Sequence, residues 1–566
     1  MIHTGSAACL GFGAGPVTQQ VSRCKTRESI PRQHGERLYA RSIMATSTLL
    51  PRTEPTAATQ AVIPPAPRPR PPSAWLGDRS TPHRVGRLLT LAFGTTAAMW
   101  IIGYWCKMPA IGVPPAVTGV LMLVLLTAGG FVAGRVGRTW RLAALAGLLC
   151  GLLNLLILGS LVSGDGGQPH PGAMLWVPGW LLLSAGLGAL GALLGAARTP
   201  AATDLPDAHI SAGSPARPVL ADDGPADPVL RYTDWPMAFC VVGVVATFAL
   251  ITTGGIVTGA RAGLAVPDWP GTFGSNMFLY PLSRMTSNQP VFFEHAHRLK
   301  GALVGLTTIS LAAYLFVAVG RTPVRVLGVL CSLAVILQGV LGGHRVTLAN
   351  WIDTSSGIAI ATGSDETWGS LSLGVAHGVL GQLFLAGLLA LAIITSARWA
   401  KAPTRQPHAN GSADIAISTI ALLSVALALL FGALQRHFGS HPEFSSPGTL
   451  LIGHLTVALL AAMACVGAGV RAWSWADQAP RQRRLGIAVL HTVGLQVFLG
   501  FIAASVINLP EADDGTPHIF DIAFTTLHQV TGAILLCLTV ALLLSSIRLP
   551  GGPSSPLQPN VPGRRQ

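Results

Sequence analysis

The run Gln289 to Gly305, QPVFFEHAHRLKGALVG, places Glu294, His297 and Arg298 in one short stretch at the mouth of an otherwise apolar helix. A carboxylate, an imidazole and a guanidinium are costly near lipid, so their clustering there marks a functional site. Glu294 and His297 are three residues apart and share one helix face, and Arg298, four from Glu294, reaches the same edge. His295 points elsewhere. Three later apolar segments carry a histidine at a similar place: His377, His454 and His528. Each of the four lies about seven residues, roughly 10 Å, from the start of its helix. Imidazoles facing each other at one depth suit the two axial positions of a planar haem held in a bundle core. The residue four after each histidine is small, namely Gly301, Gly381, Ala458 and Gly532, which leaves room for a porphyrin one turn along. Small residues also serve close helix packing in lipid.

The elements that must position these groups are membrane helices. Half of the 566 residues are hydrophobic, 11% are charged, and the mean hydropathy is +0.54. That composition excludes a soluble globule and implies an all-α polytopic membrane protein. The net charge of +14 sits in tails and short loops between apolar spans, so it reflects the positive-inside rule and not a nucleic-acid partner. The eight cysteines form no CxxC pair, and no disulfide framework or zinc site is expected.

Residues 1–85 are rich in Pro, Arg, Ser and Thr and are expected to be a disordered tail. Residues 86–198 hold four apolar spans almost free of ionisable groups, and 199–235 have the composition of a cytoplasmic linker. Eight further spans follow, with 236–400 expected as a first four-helix bundle, 401–548 as a second, and 549–566 as a disordered tail. Basic residues fall in alternate loops, which places both termini inside, in keeping with twelve spans.

The eight-helix core contains a repeat. Gln338-Gly-Val-Leu-Gly342 in its third span matches Gln496-Val-Phe-Leu-Gly500 in its seventh, and His297 and His454 precede those glutamines by 41 and 42 residues. The unit is a four-helix bundle used twice, with histidines on its second and fourth helices. The halves differ at one place: Glu294 lies three residues before His297, whereas Leu451 lies three before His454. The first half is therefore expected to be the reactive site and the second an electron-transfer site, since a carboxylate beside a haem edge can accept a proton or stabilise a developing cation. Among the other histidines, His344 would bond a propionate or cap its helix, His491 is structural, and His437, His441 and His518 are expected in solvated outer loops. Arg261, Arg298, Arg345 and Arg436 lie near the outer boundary against the charge rule, where haem propionates would justify them and snorkelling is the alternative.

With these motifs in place, residues 236–548 resemble the haem A synthase family. The resemblance rests on the Glu294-His295-Ala296-His297-Arg298 run, the Thr253-Gly254-Gly255 stretch, the segment GLAVPDWP at 263–270, the Gln338…Gly342 motif and the later histidines. It implies an oxidoreductase that converts the C8 methyl group of haem O to the formyl group of haem A, with water as the implied oxygen source, for haem–copper oxidase assembly. It implies that His297 and His377 flank the substrate haem, that Glu294 is the essential carboxylate, that His454 and His528 ligate haem b, and that Arg298 and Arg345 contact propionates. The implied partners are haem O, a haem O synthase, an electron acceptor, membrane lipid and a homo-oligomeric copy. The implied membrane is the bacterial plasma membrane, or the mitochondrial inner membrane in a eukaryote. The chain departs from the family where some members carry a cysteine pair in the outer loop: Val266 and Thr272 stand in that region here. A di-haem electron carrier would share the four histidines without needing Glu294, and a transporter would share the repeat.

Overall fold

The computed structural model describes residues 80–137, 139–162, 172–197, 234–351, 367–401, 411–439, 448–474, 479–507, 509–511 and 515–548. Residues 1–79 and 549–566 of the expected tails, the 199–233 part of the linker and His441 lie outside them, whereas residues 80–85, expected in the disordered tail, form the first turns of a helix that runs on into the first apolar span. Among the described residues, twelve helices are long and apolar enough to cross a membrane. The protein is an all-α polytopic membrane protein.

The first four spans are α1 (Ser80–Lys107), α2 (Pro115–Gly137), α3 (Trp140–Ile157) and α4 (Ala173–Ala197). The core begins with α5 (Trp235–Gly259), followed by a two-strand hairpin (Gly271–Thr272 with Ser275–Asn276) and the short α6 (Leu282–Ser287). Then come α7 (Gln289–Ala318), α8 (Thr322–Trp351), α9 (Trp368–Thr395) and the short α10 (Ala397–Lys401). The second half comprises α11 (Gly411–Phe438), α12 (Thr449–Trp473), α13 (Pro480–Val506) and α14 (Ile519–Ile547).

The histidine helices start where the sequence supplies caps. Asn288 accepts the Val291 N–H ahead of α7, with Pro290 in the first turn, and Thr367 accepts the Ser370 N–H ahead of α9. Each cap satisfies a donor that the first helical turn leaves orphaned. Within the first half α5, α7, α8 and α9 close a ring by packing α5 on α7, α7 on α8, α8 on α9 and α9 on α5. The second half closes the same ring with α11, α12, α13 and α14. The helices bearing His297 and His377 are therefore diagonal to each other, as are those bearing His454 and His528. The halves join through α14 against α5 and α9, and α11 against α9.

The N-terminal helices are not a detached bundle. Helix α1 packs on α5 and α7 along Gly86, Phe93, Ala97 and Tyr104, a seven–four–seven spacing that keeps one face toward the core. Phe93 meets Phe239 of α5 at 5.5 Å, and Tyr104 stacks on Phe292 of α7 at 5.3 Å. Their buried residues belong to one apolar cluster with Leu153 and Ile157 of α3 and the core of the first half. Chain outside that face, such as Val120, Val124 and Val132 of α2, carries exposed apolar side chains suited to lipid.

Candidate functional site

The four histidines meet as two pairs across the ring diagonals. The His297 and His377 ring centroids are 6.4 Å apart with planes at 75°, and those of His454 and His528 are 6.3 Å apart with planes at 87°. A histidine nitrogen binds a metal at about 2.0–2.1 Å and lies about 1.15 Å from its ring centre, so two rings on opposite sides of one ion stand roughly 6.3–6.4 Å apart. Both pairs have the span of a bis-histidine site.

Three of the imidazoles are aimed by the neighbouring helix in the same way. His377 Nδ1 lies 3.2 Å from the Gln338 carbonyl and His454 Nδ1 lies 3.2 Å from the Ala428 carbonyl. His297 is held by the Leu250 backbone and by Thr253 Oγ1, 3.4 Å from its Nδ1. His528 differs: its Nδ1 is buried without a hydrogen-bond partner, and its Nε2 lies 3.3 Å from the Gln496 amide nitrogen. Four residues after Leu250, Gln338, Ala428 and Gln496 stand Gly254, Gly342, Gly432 and Gly500. A Cβ on these glycines would lie 3.0, 3.1, 3.1 and 3.0 Å from the Cε1 atoms of His297, His377, His454 and His528. Glycine at that position lets the ring reach the carbonyl one turn back. A ring held through Nδ1 to a backbone carbonyl presents Nε2 as the metal-binding nitrogen, the usual outer support of a histidine ligand.

The room beside the rings is uneven. A Cβ at Gly301 or Gly305, one and two turns beyond His297, would meet no atom within 4 Å, which fits a flat group lying along α7. Gly381 and Gly532 serve differently from the sequence expectation, because glutamine amides lie over them. Gln496 Nε2 is 3.2 Å from a Cβ built on Gly532. The Gln338 amide, oriented to satisfy both ends, accepts the Gly381 N–H at 2.9 Å and donates to the His377 carbonyl at 3.2 Å. The repeated glutamines thus brace the second histidine of each half.

Glu294 and Arg298 are committed to the loop above the first pair. Glu294 is 4% exposed; Oε1 accepts from Arg298 Nη2 at 2.5 Å and Oε2 from the Val266 N–H at 2.7 Å. Arg298 also donates to the carbonyls of Asp268 (2.7 Å), Gly271 (3.0 Å) and Val266 (2.9 Å). Its four terminal N–H groups are all used, so the expected propionate contact of Arg298 gives way to a loop clamp. The expected role of Glu294 must be compatible with the same clamp, because each oxygen keeps only its remaining lone pair. His295 faces the loop, 3.2 Å from Thr272 Oγ1 and 5.2 Å from the Tyr280 ring, and takes no part in the pairs. Arg345 reaches Gly263 of the same loop, its Nη1 3.0 Å from a Cβ built there.

Three other histidines differ from expectation. His437 lies in the last turn of α11, its Cε1 2.8 Å from a Cβ built on Gly374, and is partly buried. His518 caps α14 by accepting the Phe520 N–H at 3.2 Å. His344 is exposed and stands 6.5 Å from the Trp269 ring.

Sequence reasoning missed Gly254 and Gly432 as ring supports and Lys300 as a buried cation. The first two were signalled by a glycine repeated at the outer part of each helix that precedes a histidine helix in the ring. Lys300 was signalled only by its position three residues after His297. No family model matches the chain, and no curated protein matches it.

Proposed function

We propose that the protein is a haem A synthase, an oxidoreductase that converts the C8 methyl group of haem O to the formyl group of haem A. The observation that carries this reading is the pair of bis-histidine spans, 6.4 and 6.3 Å, at repeat-related places, with a carboxylate beside only the first. His297 and His377 would hold haem O, and His454 and His528 would hold haem b. A haem in the second site supplies one-electron transfer when bound.

The chain's own residues do the rest. Gly254, Gly342, Gly432 and Gly500 leave room for the four rings, and backbone carbonyls hold His297, His377 and His454. Arg298 and Glu294 pin the 263–271 segment over the first pair, which limits water there. Glu294, paired with Arg298, would lie near the haem held by His297 and His377, where its carboxylate could take a proton or stabilise positive charge developing on the substituent. Each hydroxylation removes an electron pair, so a haem O synthase upstream and an electron acceptor downstream complete the reading. Basic loops between spans favour a cytoplasmic face for both termini, in a bacterial plasma membrane or a mitochondrial inner membrane.

The engagement of both Glu294 oxygens by the loop clamp favours a second reading, a di-haem electron carrier in which Glu294 is purely structural. Co-expression with a haem O source followed by chromatography of extracted haems separates the two. Haem O and haem A together support the synthase; haem b alone supports the carrier; pigment-free protein refutes both.

A further inference from the structure

Lys300 is a lysine inside a membrane-spanning helix, 5% exposed, one turn after His297 on α7. Among the described residues it makes no ion pair. Its Nζ instead sits 3.5 Å from the centre of the Tyr104 ring, supplied by α1. Tyr104 is itself 5% exposed, and its hydroxyl is buried without a hydrogen-bond partner. The Tyr104 ring is locked by its stack on Phe292, so the aromatic face is fixed in front of the amine. A cation over a desolvated aromatic face is attracted by the ring quadrupole, which offsets part of the cost of burying it. An ionisable side chain kept at that depth marks function.

Two further facts direct the reading. Lys300 and His297, three residues apart on α7, stand on adjacent turns of one helix face. The repeat-related position, three residues after His454, holds Val457, and α1 packs against the first half only. The cation and its aromatic cover are thus private to the first of the two repeat-related sites.

We infer that Lys300, as a protonated amine held over the Tyr104 ring, raises the reduction potential of the iron held by His297 and His377, and that the N-terminal helices act as part of this site by covering Lys300 with Tyr104. The inference rests on the haem reading. A cation near iron stabilises the ferrous state, which carries one positive charge fewer, and low-dielectric surroundings strengthen the effect. Lys300 thereby contributes to poising the two haem sites differently. Lys300 is a positioning group for charge and touches no reacting atom.

The test is a redox titration of the full-length protein, loaded by co-expression with a haem O source and followed by absorbance. The two irons are assigned by parallel titration of His377→Ala and His528→Ala. Lys300→Met should lower the reduced-to-oxidised ratio of the first iron at fixed potential by threefold or more, where tenfold is about 59 mV for a one-electron couple. The second iron should not move. Lys300→Arg should restore most of the ratio, and Tyr104→Leu should shift it in the same direction as Lys300→Met. Tyr104→Leu carries the test alone if Lys300→Met fails to accumulate in membranes. An unmoved first iron in haem-loaded variants, or equal shifts at both irons, overturns the inference and leaves the haem reading standing. Wild-type protein without haem overturns both.

Discussion

Gly432 gives the sharpest test of how the rings are held. A Cβ there would lie 3.1 Å from His454 Cε1 and 3.4 Å from Nδ1. Carbon atoms rest at about 3.5–4.0 Å, so Gly432→Ala requires the ring to retreat by about 0.4–0.9 Å. The Nδ1 to Ala428 carbonyl distance of 3.2 Å would then pass the limit of a useful hydrogen bond. Loss of that bond costs about 0.5–1.5 kcal/mol, roughly a two- to twelvefold weaker hold on anything His454 ligates. Gly432→Val adds carbons that point into the ring and should remove the ligand altogether. The assay is haem content and low-spin absorbance of purified protein, with Gly494→Ala as control because a Cβ there meets nothing within 4 Å. Unchanged haem b in Gly432→Val would refute the reasoning, as would equal damage from Gly494→Ala.

Glu294→Gln should retain haem b and bind haem O yet give little or no haem A; near-normal haem A yield, measured by chromatography, would rule out an essential charge. Arg298→Met should be worse for the fold than Glu294→Gln, since it leaves a buried carboxylate and three loop carbonyls without their donor; a loss of about 3–5 kcal/mol is expected, read as a lower unfolding temperature in detergent. Deletion of residues 1–230 should leave a core that inserts but unfolds more easily, because it strips the cover from Phe239, Phe292 and Lys300; a truncated protein as stable as the full chain would argue against the shared apolar cluster.

The membrane class and the four histidines were legible because ionisable groups are rare in lipid and stand out there. The repeat was legible because Gln338 and Gln496 sit at matching distances from their histidines. Gly254 and Gly432 were hidden among 65 glycines, since helix packing in lipid uses the same residue and only the fold says which glycine faces which ring. Arg298 was legible as a polar group beside the site, but its partners are loop carbonyls at 266, 268 and 271 that no periodicity reveals. His437 was misplaced in a loop because α11 runs to Phe438, three residues beyond its apolar stretch, as the imidazole packs onto Gly374. Lys300 was passed over because a lysine near a helix mouth ordinarily snorkels to water.

The diagonal placement of the histidines has a consequence for how the protein matures. Neighbouring helices in each ring hold one another, whereas α7 and α9, or α12 and α14, meet mainly through their imidazoles. A metal group seized by both rings becomes a crossbar through the bundle, and its binding free energy is added to that of the folded state. The second bundle has more to gain: the apolar stretch of α12 is 11% buried within the protein and those of α11 and α13 17%, against 50% for α5. The half without the accessory helices would depend most on its crossbar. In a cell short of pigment, the His454 bundle is then the part that quality-control proteases should reach first.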